Sequence, residues 1–431
     1  MTPNQQSNIS TGTVKLNIAF VSREYPPSQR IGGIASYIYE TATYLAKNGH
    51  KIHIIAASDN IHETEEYNDG NIHVIRLPQS DFYVCDTPSF FSKLYSHYRR
   101  IVHYRSYRKK ISSCLNELIK DHDIDIVEFA EYGNEYLVWS KRQPLIPWVV
   151  RLHGSGFIDN VTGKAVSFFK SPMKYWLGRS EISGIKKATR IFSCSRILAT
   201  LEAEFAQISP SLVYVVPNSV EFKQIQTDLK NAIINTHNPF TKPAKYQIFS
   251  AGSVTEGKGY GDLVRAVQIL RKEGIEIALT IAGKWGSLGR TLAKEAKINA
   301  YNSWLTLLGP IPRSKLPHFY KSADLNVFPS WWESFGLVVI ESMATSGLVL
   351  GSTAGGMSEI IVEGENGFLV EPHSPENLAN KIHQVLLLPQ NKQNCVRKNA
   401  QQTIKNNFDT SIVMDEQLNF YLSTIDKFNN K

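Results

Sequence analysis

From residue 15 to residue 220 the chain alternates short apolar runs with longer stretches in which apolar residues recur every three or four positions. The runs 15–22, 51–57, 72–77, 124–129, 148–152, 190–193 and 212–216 are rich in Ile and Val and lack an in–out alternation. Such near-continuous apolarity predicts strands buried on both faces, the condition of a parallel sheet. The stretches between them predict helices, of which 34–47 ends at the stop signal Asn48-Gly49. Alternation of this kind specifies a doubly wound α/β domain. The rhythm breaks at 222–245, which is polar, contains Pro239 and Pro243, and reads as a linker with a surface excursion. Strand-like runs resume at 247–251, 277–282, 306–308, 325–328 and 349–352 and predict a second domain of the same kind. The expected organisation is a first domain over 1–221, a linker over 222–245 and a second domain over 246–407.

Composition adjusts this picture little. A chain of 431 residues needs two cores, and 42% hydrophobic with 20% charged residues describes a globular protein. No apolar run approaches the ~20 residues that cross a bilayer. The polar start MTPNQQSNISTGT does not read as a secretory signal, so a cytosolic protein is expected. Cys85, Cys114, Cys194 and Cys395 are scattered, which predicts free thiols. The net charge of +8 is uneven: residues 87–116 carry no acid, and basic residues there interleave with aromatics. Within 90–118 one apolar stripe holds Phe91, Tyr95, Tyr98 and Val102, and another holds Ile111, Leu115 and Leu118. A basic helix of this form suits the anionic inner face of a membrane, or else packs on the core with a solvated basic face. Nucleic acid is not an expected partner.

The densest chemistry lies in 324–341, DLNVFPSWWESFGLVVIE, which reads as strand, Pro-Ser turn and helix. A helix N-terminus leaves N–H groups free to hold a phosphate oxygen, here around Ser334, Phe335, Gly336 and Leu337. Glu333 and Glu341 bracket this junction eight positions apart, an offset of about 12 Å if the segment were fully helical. Acceptor-only carboxylates at that separation suit the hydroxyl-bearing sugar and ribose of a nucleotide-sugar, or else are solvated helix charges. Gly32 and Gly33 precede a helix and permit close backbone approach to a ligand. His153 ends the run 148–152, facing a cleft or satisfied in the core. Lys258 beside Gly259 opens a helix as a point charge suited to a diphosphate. Asp121, His122, Asp123 and Asp125 invite a metal reading but lead into a strand, and a solvated turn is expected there instead.

Pro329, Ser330, Glu333, Phe335, Gly336 and Glu341, with Gly355, Gly356 and Glu359 after them, resemble the signature of the retaining GT-B glycosyltransferases of the family-four type. The resemblance extends over most of 15–390. It implies two Rossmann-like domains facing across a cleft, with the last helix, 408–425, crossing back onto the first. It also implies transfer of a hexosyl group with retention from a UDP- or GDP-sugar to a hydroxyl acceptor, without metal or cofactor, often in surface polysaccharide or glycolipid assembly. A glycan, lipid-linked or small-molecule acceptor would serve. Carried onto matching positions, it makes Glu333 the residue that orients sugar hydroxyls, Lys258 the diphosphate cation and Glu341 the ribose ligand. His153 and the Gly32-Gly33 pair would lie near the transferred sugar and diphosphate, and Gly283 and Ile311 near the base. One departure stands out: Ser253 occupies the place of an arginine that grips the diphosphate with the lysine. That change leaves room for a rival reading, a catalytically silent nucleotide-sugar binder or partner subunit.

Overall fold

The computed structural model describes residues 14–28, 32–59, 63–78, 90–142, 144–159, 162–235, 238–298 and 301–430, without the side chains of 90–101, 173 and 233–235. The first sheet is built from β1 (Asn17–Val21), β2 (Lys51–Ala57), β3 (Glu65–Asp69), β4 (Ile72–Leu77), β5 (Ile126–Ala130), β6 (Trp148–Leu152), β7 (Arg190–Ser193) and β8 (Val213–Val215). Its order is β3-β4-β2-β1-β5-β6-β7-β8, parallel throughout except for β3 against β4. The second sheet is wholly parallel and comprises β9 (Tyr246–Ala251), β10 (Ile277–Ala282), β11 (Leu305–Gly309), β12 (Leu325–Phe328), β13 (Val349–Ser352) and β14 (Phe368–Val370), ordered β11-β10-β9-β12-β13-β14. In each sheet the strand order reverses beside the first strand, between β1 and β5 and between β9 and β12. Such switch points open a crevice beyond the carboxyl ends of the strands, where ligands bind. The fold is GT-B: two doubly wound domains whose crevices share one cleft.

The fully buried residues of β1, β2, β5, β6 and β10 explain why their sequences show no alternation. The edge strand β3 is half exposed and mostly polar, EEYND, so its sequence carries no apolar signal. Within the stretch read as a linker, residues Phe222–Asn235 form a helix. Its Phe222 and Ile225 pack on the same core as Leu316 and Phe319 of the second domain. The polar composition and the following prolines had hidden its three-to-four spacing.

The helix Phe90–His122 is present, and the second of its two apolar stripes packs inward. Tyr104, Tyr107, Ile111, Leu115 and Leu118 are buried in the core of the first domain. Arg108, also buried, donates to the Gly133 carbonyl at 2.6 Å. The stripe of Phe91, Tyr95 and Tyr98 lies outside the described side chains. Among the described residues no helix is long and apolar enough to cross a membrane. Cys114, Cys194 and Cys395 are free thiols, and Cys85 lies outside the description.

The chain crosses between domains twice at one place. Val220 and Thr410 zip the crossings together, Val220 N–H to Phe408 O and Thr410 N–H to Val220 O, each 3.0 Å. The C-terminal helix Thr410–Asn429 then lies on the first sheet, with Val413, Met414, Phe420 and Tyr421 packed among Ile18, Phe20, Ile126 and Phe192. Under this helix Glu128 accepts hydrogen bonds from the hydroxyls of Tyr37, at 2.9 Å, and Tyr421. Gln417 donates to Tyr37 at 2.6 Å. Burial pushes the Glu128 carboxyl up to about 7, against the pull of Arg151. Folded Glu128 thus holds its proton more tightly than the unfolded chain does, so its contribution to stability is full below pH 4.5 and is lost as pH rises through about 7. Glu128→Gln removes this titration. The stability of the variant relative to the parent is expected to rise by about 3 kcal/mol between pH 4.5 and 7 and then level off, read from denaturant unfolding across that range.

Candidate active site

The residues around Glu333 take their positions from backbone constraints. After β12 the chain turns at Pro329-Ser330, and Trp331 N–H donates to Gly257 O at 2.8 Å. Glu333 is bridged to Gly355, and Gly356 N–H donates to Glu333 O at 2.8 Å. Gly355 has φ +90, and a Cβ there would meet Glu333 O at 2.0 Å, so the bridge requires glycine. Gly259, at φ +68, approaches the Pro329 carbonyl just as closely. The Gly259 contact brings the loop after β9 onto the loop after β12, where the Lys258 ammonium pairs with the Glu333 carboxylate, and the Gly355 contact seats the loop after β13 against Glu333. Gly336, at φ +109, delays the helix to Leu337–Ala344. Glu333 therefore lies on non-helical backbone rather than on a continuous helix with Glu341. No side chain caps that helix, and Phe335, Gly336, Leu337 and Val338 line the cleft.

A cavity of about 420 Å³ runs between the domains, walled by Gly32, Gly33 and His153 on one side and by Ser253, Lys258, Glu333, Ser334 and Glu341 on the other. A second cavity of about 540 Å³ adjoins it through His153, Lys258, Glu333 and Ser334 and includes Trp332. Of the expected site residues, Gly283 and Ile311 stand apart, outside the residues that line these two cavities. Gly283 instead ties strand ends together, donating to Gly309 O at 2.7 Å. Among the described residues lining the two cavities, Lys258 is the sole cation. Trp331 is a packing residue, its indole donating to Asp262 at 2.6 Å.

His153 contributes a half-buried ring whose Nε2 has no hydrogen-bond partner, 5.1 Å from Tyr37 between ring centres. Burial, and then the Arg151 charge, hold its pKa well below the usual range, so it is neutral at pH 7. The loop behind it hangs from three buried carboxylates that sequence reasoning missed. Glu131 accepts from His153 N–H at 2.7 Å, Glu202 from Ser155 N–H at 2.6 Å, and Glu181 from Gly156 N–H at 2.8 Å. Burial raises all three, Glu202 to about 7.

Glu341 is already partnered. Arg313 donates to it at 2.6 Å, and the Tyr320 hydroxyl does so at 3.2 Å. Arg313 also pairs with Glu40 on the helix Gly33–Lys47, joining the two domains. Burial alone would lower the guanidinium pKa, but Glu341 and Glu40 outweigh it and hold the charge firmly. Arg313 went unremarked in the sequence, although it directly follows the Pro310-Ile311-Pro312 turn. Elsewhere across the cleft, Glu359 caps a first-domain helix by accepting from Arg196 N–H at 3.0 Å and Ile197 N–H at 2.7 Å. Ser195 donates to Ser334 O at 2.6 Å.

A cleft between two such domains, with a lysine and an uncapped helix start in its wall, is where a GT-B fold holds its ligands. Family comparison agrees: residues 234–403 match "Glycosyl transferases group 1" and residues 31–224 match "Glycosyltransferase Family 4". The chain belongs to the family-four type of GT-B glycosyltransferases. It is 23% identical to the glycogen synthase of Mycobacterium tuberculosis over 432 aligned residues, covering 95% of each chain. Its fold matches sucrose-phosphate synthase from Thermosynechococcus elongatus with a TM-score of 0.73 and 19% identity, over 95% of this chain and 99% of that one. It also matches Anabaena HepE in complex with UDP-glucose, with a TM-score of 0.64 and 17% identity, over 95% and 100%.

Replacing Lys258 with Ala is expected to lower kcat by about 10²- to 10³-fold, as loss of one preorganised charge at a reaction centre does. A change of only a few degrees in melting temperature would show the fold intact, because the pair is partly exposed. Gly355→Ala should behave differently, lowering activity and melting temperature together by forcing the Glu333 bridge apart.

Proposed function

We propose that this enzyme transfers a hexosyl group, with retention of anomeric configuration and without metal, from a UDP- or GDP-sugar to a hydroxyl acceptor in surface polysaccharide or glycolipid assembly. The observation that carries the reading is the Lys258–Glu333 pair beside the uncapped helix Leu337–Ala344, inside the interdomain cleft. The bond to break joins the anomeric carbon to a phosphate oxygen, and negative charge grows on that oxygen as the bond lengthens. Lys258 and the N–H groups at 336–338 supply positive potential to it without reorganising. Glu333, freed in part from Lys258 by the incoming diphosphate, accepts hydrogen bonds from sugar hydroxyls. His153, neutral, offers a hydrogen bond at the sugar but no proton store at pH 7. The likeness to a protein solved with UDP-glucose supports a uridine donor.

Proton NMR of the purified enzyme with a panel of UDP-, GDP- and ADP-sugars, in chelator-containing buffer, tests this. Selective, slow hydrolysis of one donor is expected, releasing sugar first as the anomer of the donor. An inverted first product, or turnover that stops with chelator, would overturn it. Ser253→Arg restores a second cation beside the diphosphate and is expected to lower KM for the donor by about tenfold, the effect of ~1.4 kcal/mol. The same substitution distinguishes a silent binder, which would gain affinity without gaining turnover.

A further inference from the structure

At the amino-terminal edge of the first sheet, away from the glycosyl-transfer cleft, three histidines distant in sequence come together. His53 on β2 and His73 on β4 are direct partners in the parallel ladder, so their side chains leave the same face. Their Nδ1 atoms lie 3.0 Å apart. His122, the last residue of the helix Phe90–His122, closes the group, its carbonyl held by the Asn17 side chain. One ring nitrogen from each histidine lies within 4.8 Å of the others. We propose that His53, His73 and His122 form a binding site for a divalent cation of the zinc class.

Three further observations support it. The ring centres are separated by 5.2, 4.6 and 5.6 Å. Imidazoles bound to tetrahedral zinc at about 2.0–2.1 Å set their ring centres about 5 Å apart, so little movement is needed. The remote nitrogen of His73, Nε2, meets the Glu66 carboxylate at 2.8 Å. That contact puts the proton on Nε2 and leaves the Nδ1 lone pair facing His53, the carboxylate–histidine arrangement that orients metal ligands. Lastly, the histidines line a solvent-open recess of about 680 Å³ with Asp121 and Asp123, leaving room for water as a fourth ligand. In the metal-free state His53 Nδ1–H donates to His73 Nδ1; the cation replaces that hydrogen bond, and the His53 proton moves to its other nitrogen. Three neutral imidazoles favour zinc, nickel or copper over magnesium or calcium. The bound cation would fasten β2, β4 and the end of the long helix to one another.

This inference is independent of the glycosyl-transfer reading. Its test is titration of the full-length chain, freed of metal by chelator and dialysed, with Zn²⁺ against a chromogenic competitor, and with Co²⁺ followed by visible absorption. One equivalent of Zn²⁺ per chain is expected, with cobalt bands of four- or five-coordinate nitrogen–oxygen ligation and a higher melting temperature with Zn²⁺. His122→Gln, on the exposed end of the helix, and His73→Ala should weaken binding at least a hundredfold, and Glu66→Gln about tenfold or more. The His122 variant keeps the test valid if a strand variant fails to fold. Binding well below one equivalent, a thiolate–cobalt charge-transfer band, or affinity unchanged in His122→Gln and His73→Ala would overturn the proposal.

Discussion

The pairing of Lys258 with Glu333 is the contact on which the second domain's half of the site depends. Lys258 ends a single 3-10 turn, Glu256–Lys258, and Glu333 precedes its helix, so neither is fixed by a long element. Each is carried by the loop leaving one of two adjacent strands, β9 and β12, at the point where the sheet reverses its order. Opposite charges hold the two loops together there, Gly259 permits the first to reach the Pro329 carbonyl, and Gly355, on the loop after β13, permits a third loop to close against Glu333. The pair is partly exposed, so its direct contribution to folding is small, on the order of 0–1 kcal/mol. Its importance is geometric: it holds an ammonium and a carboxylate side by side at the mouth of an uncapped helix, where substrate can insert between them.

The domains are joined by two unlike kinds of contact. On one side the chain crosses twice, zipped at Val220 and Thr410, and the final helix buries Phe420 and Tyr421 under the first sheet. That attachment is apolar and extensive. On the cleft side the described contacts include polar ones, Arg313 between Glu40 and Glu341, Glu359 on the helix end at 196–197 and Ser195 on the Ser334 carbonyl, beside smaller apolar ones such as Trp332 against Gly163. Polar contacts exchange readily for water, whereas buried aromatic packing does not. Such an asymmetry lets a cleft admit ligand while the far side stays anchored.

Much of this architecture was legible because strands buried on both faces are mostly apolar without alternation, even where a polar residue interrupts them, as Asn326 does in β12 and Glu128 in β5. That Glu333, Lys258, Gly32, Gly33 and His153 line the cleft was legible because they stand at strand ends and helix starts, while the roles given to them came from the family resemblance. What escaped notice had no local signature. The β3 strand is polar because it lies at an edge, and the helix Phe222–Asn235 hides its apolar stripe among lysines and glutamines. The Ile111 stripe reads alike whether it meets lipid or core, and only the fold shows it meeting core. Glu131, Glu181 and Glu202 are ordinary acids in sequence, and become scaffolding only when three chain segments converge on the loop at 153–156. His122 was weighed with its neighbouring aspartates, while its spatial partners lie 69 and 49 residues away. Asp125, one of those aspartates, is spent on the Asn17 N–H at 2.6 Å.

Ser253 shows how far the site relies on shared electrostatics. With serine there, the described walls of the cleft offer one lysine to a group that departs with two negative charges or more. Arg313 is no substitute, because its guanidinium is already paired with both Glu341 and Glu40. An exposed helix end contributes only about 0.3–1 kcal/mol, but the same dipole in a closed cleft acts through less water and is worth up to ~2 kcal/mol. Catalysis asks for ~8 kcal/mol or more. The deficit must be met by exclusion of water and by fixed orientation of donor and acceptor, for which the walls of the interdomain cleft are the available means. The polar contacts across the cleft bear on that exclusion of water, and a site with one cation needs dryness more than a site with two.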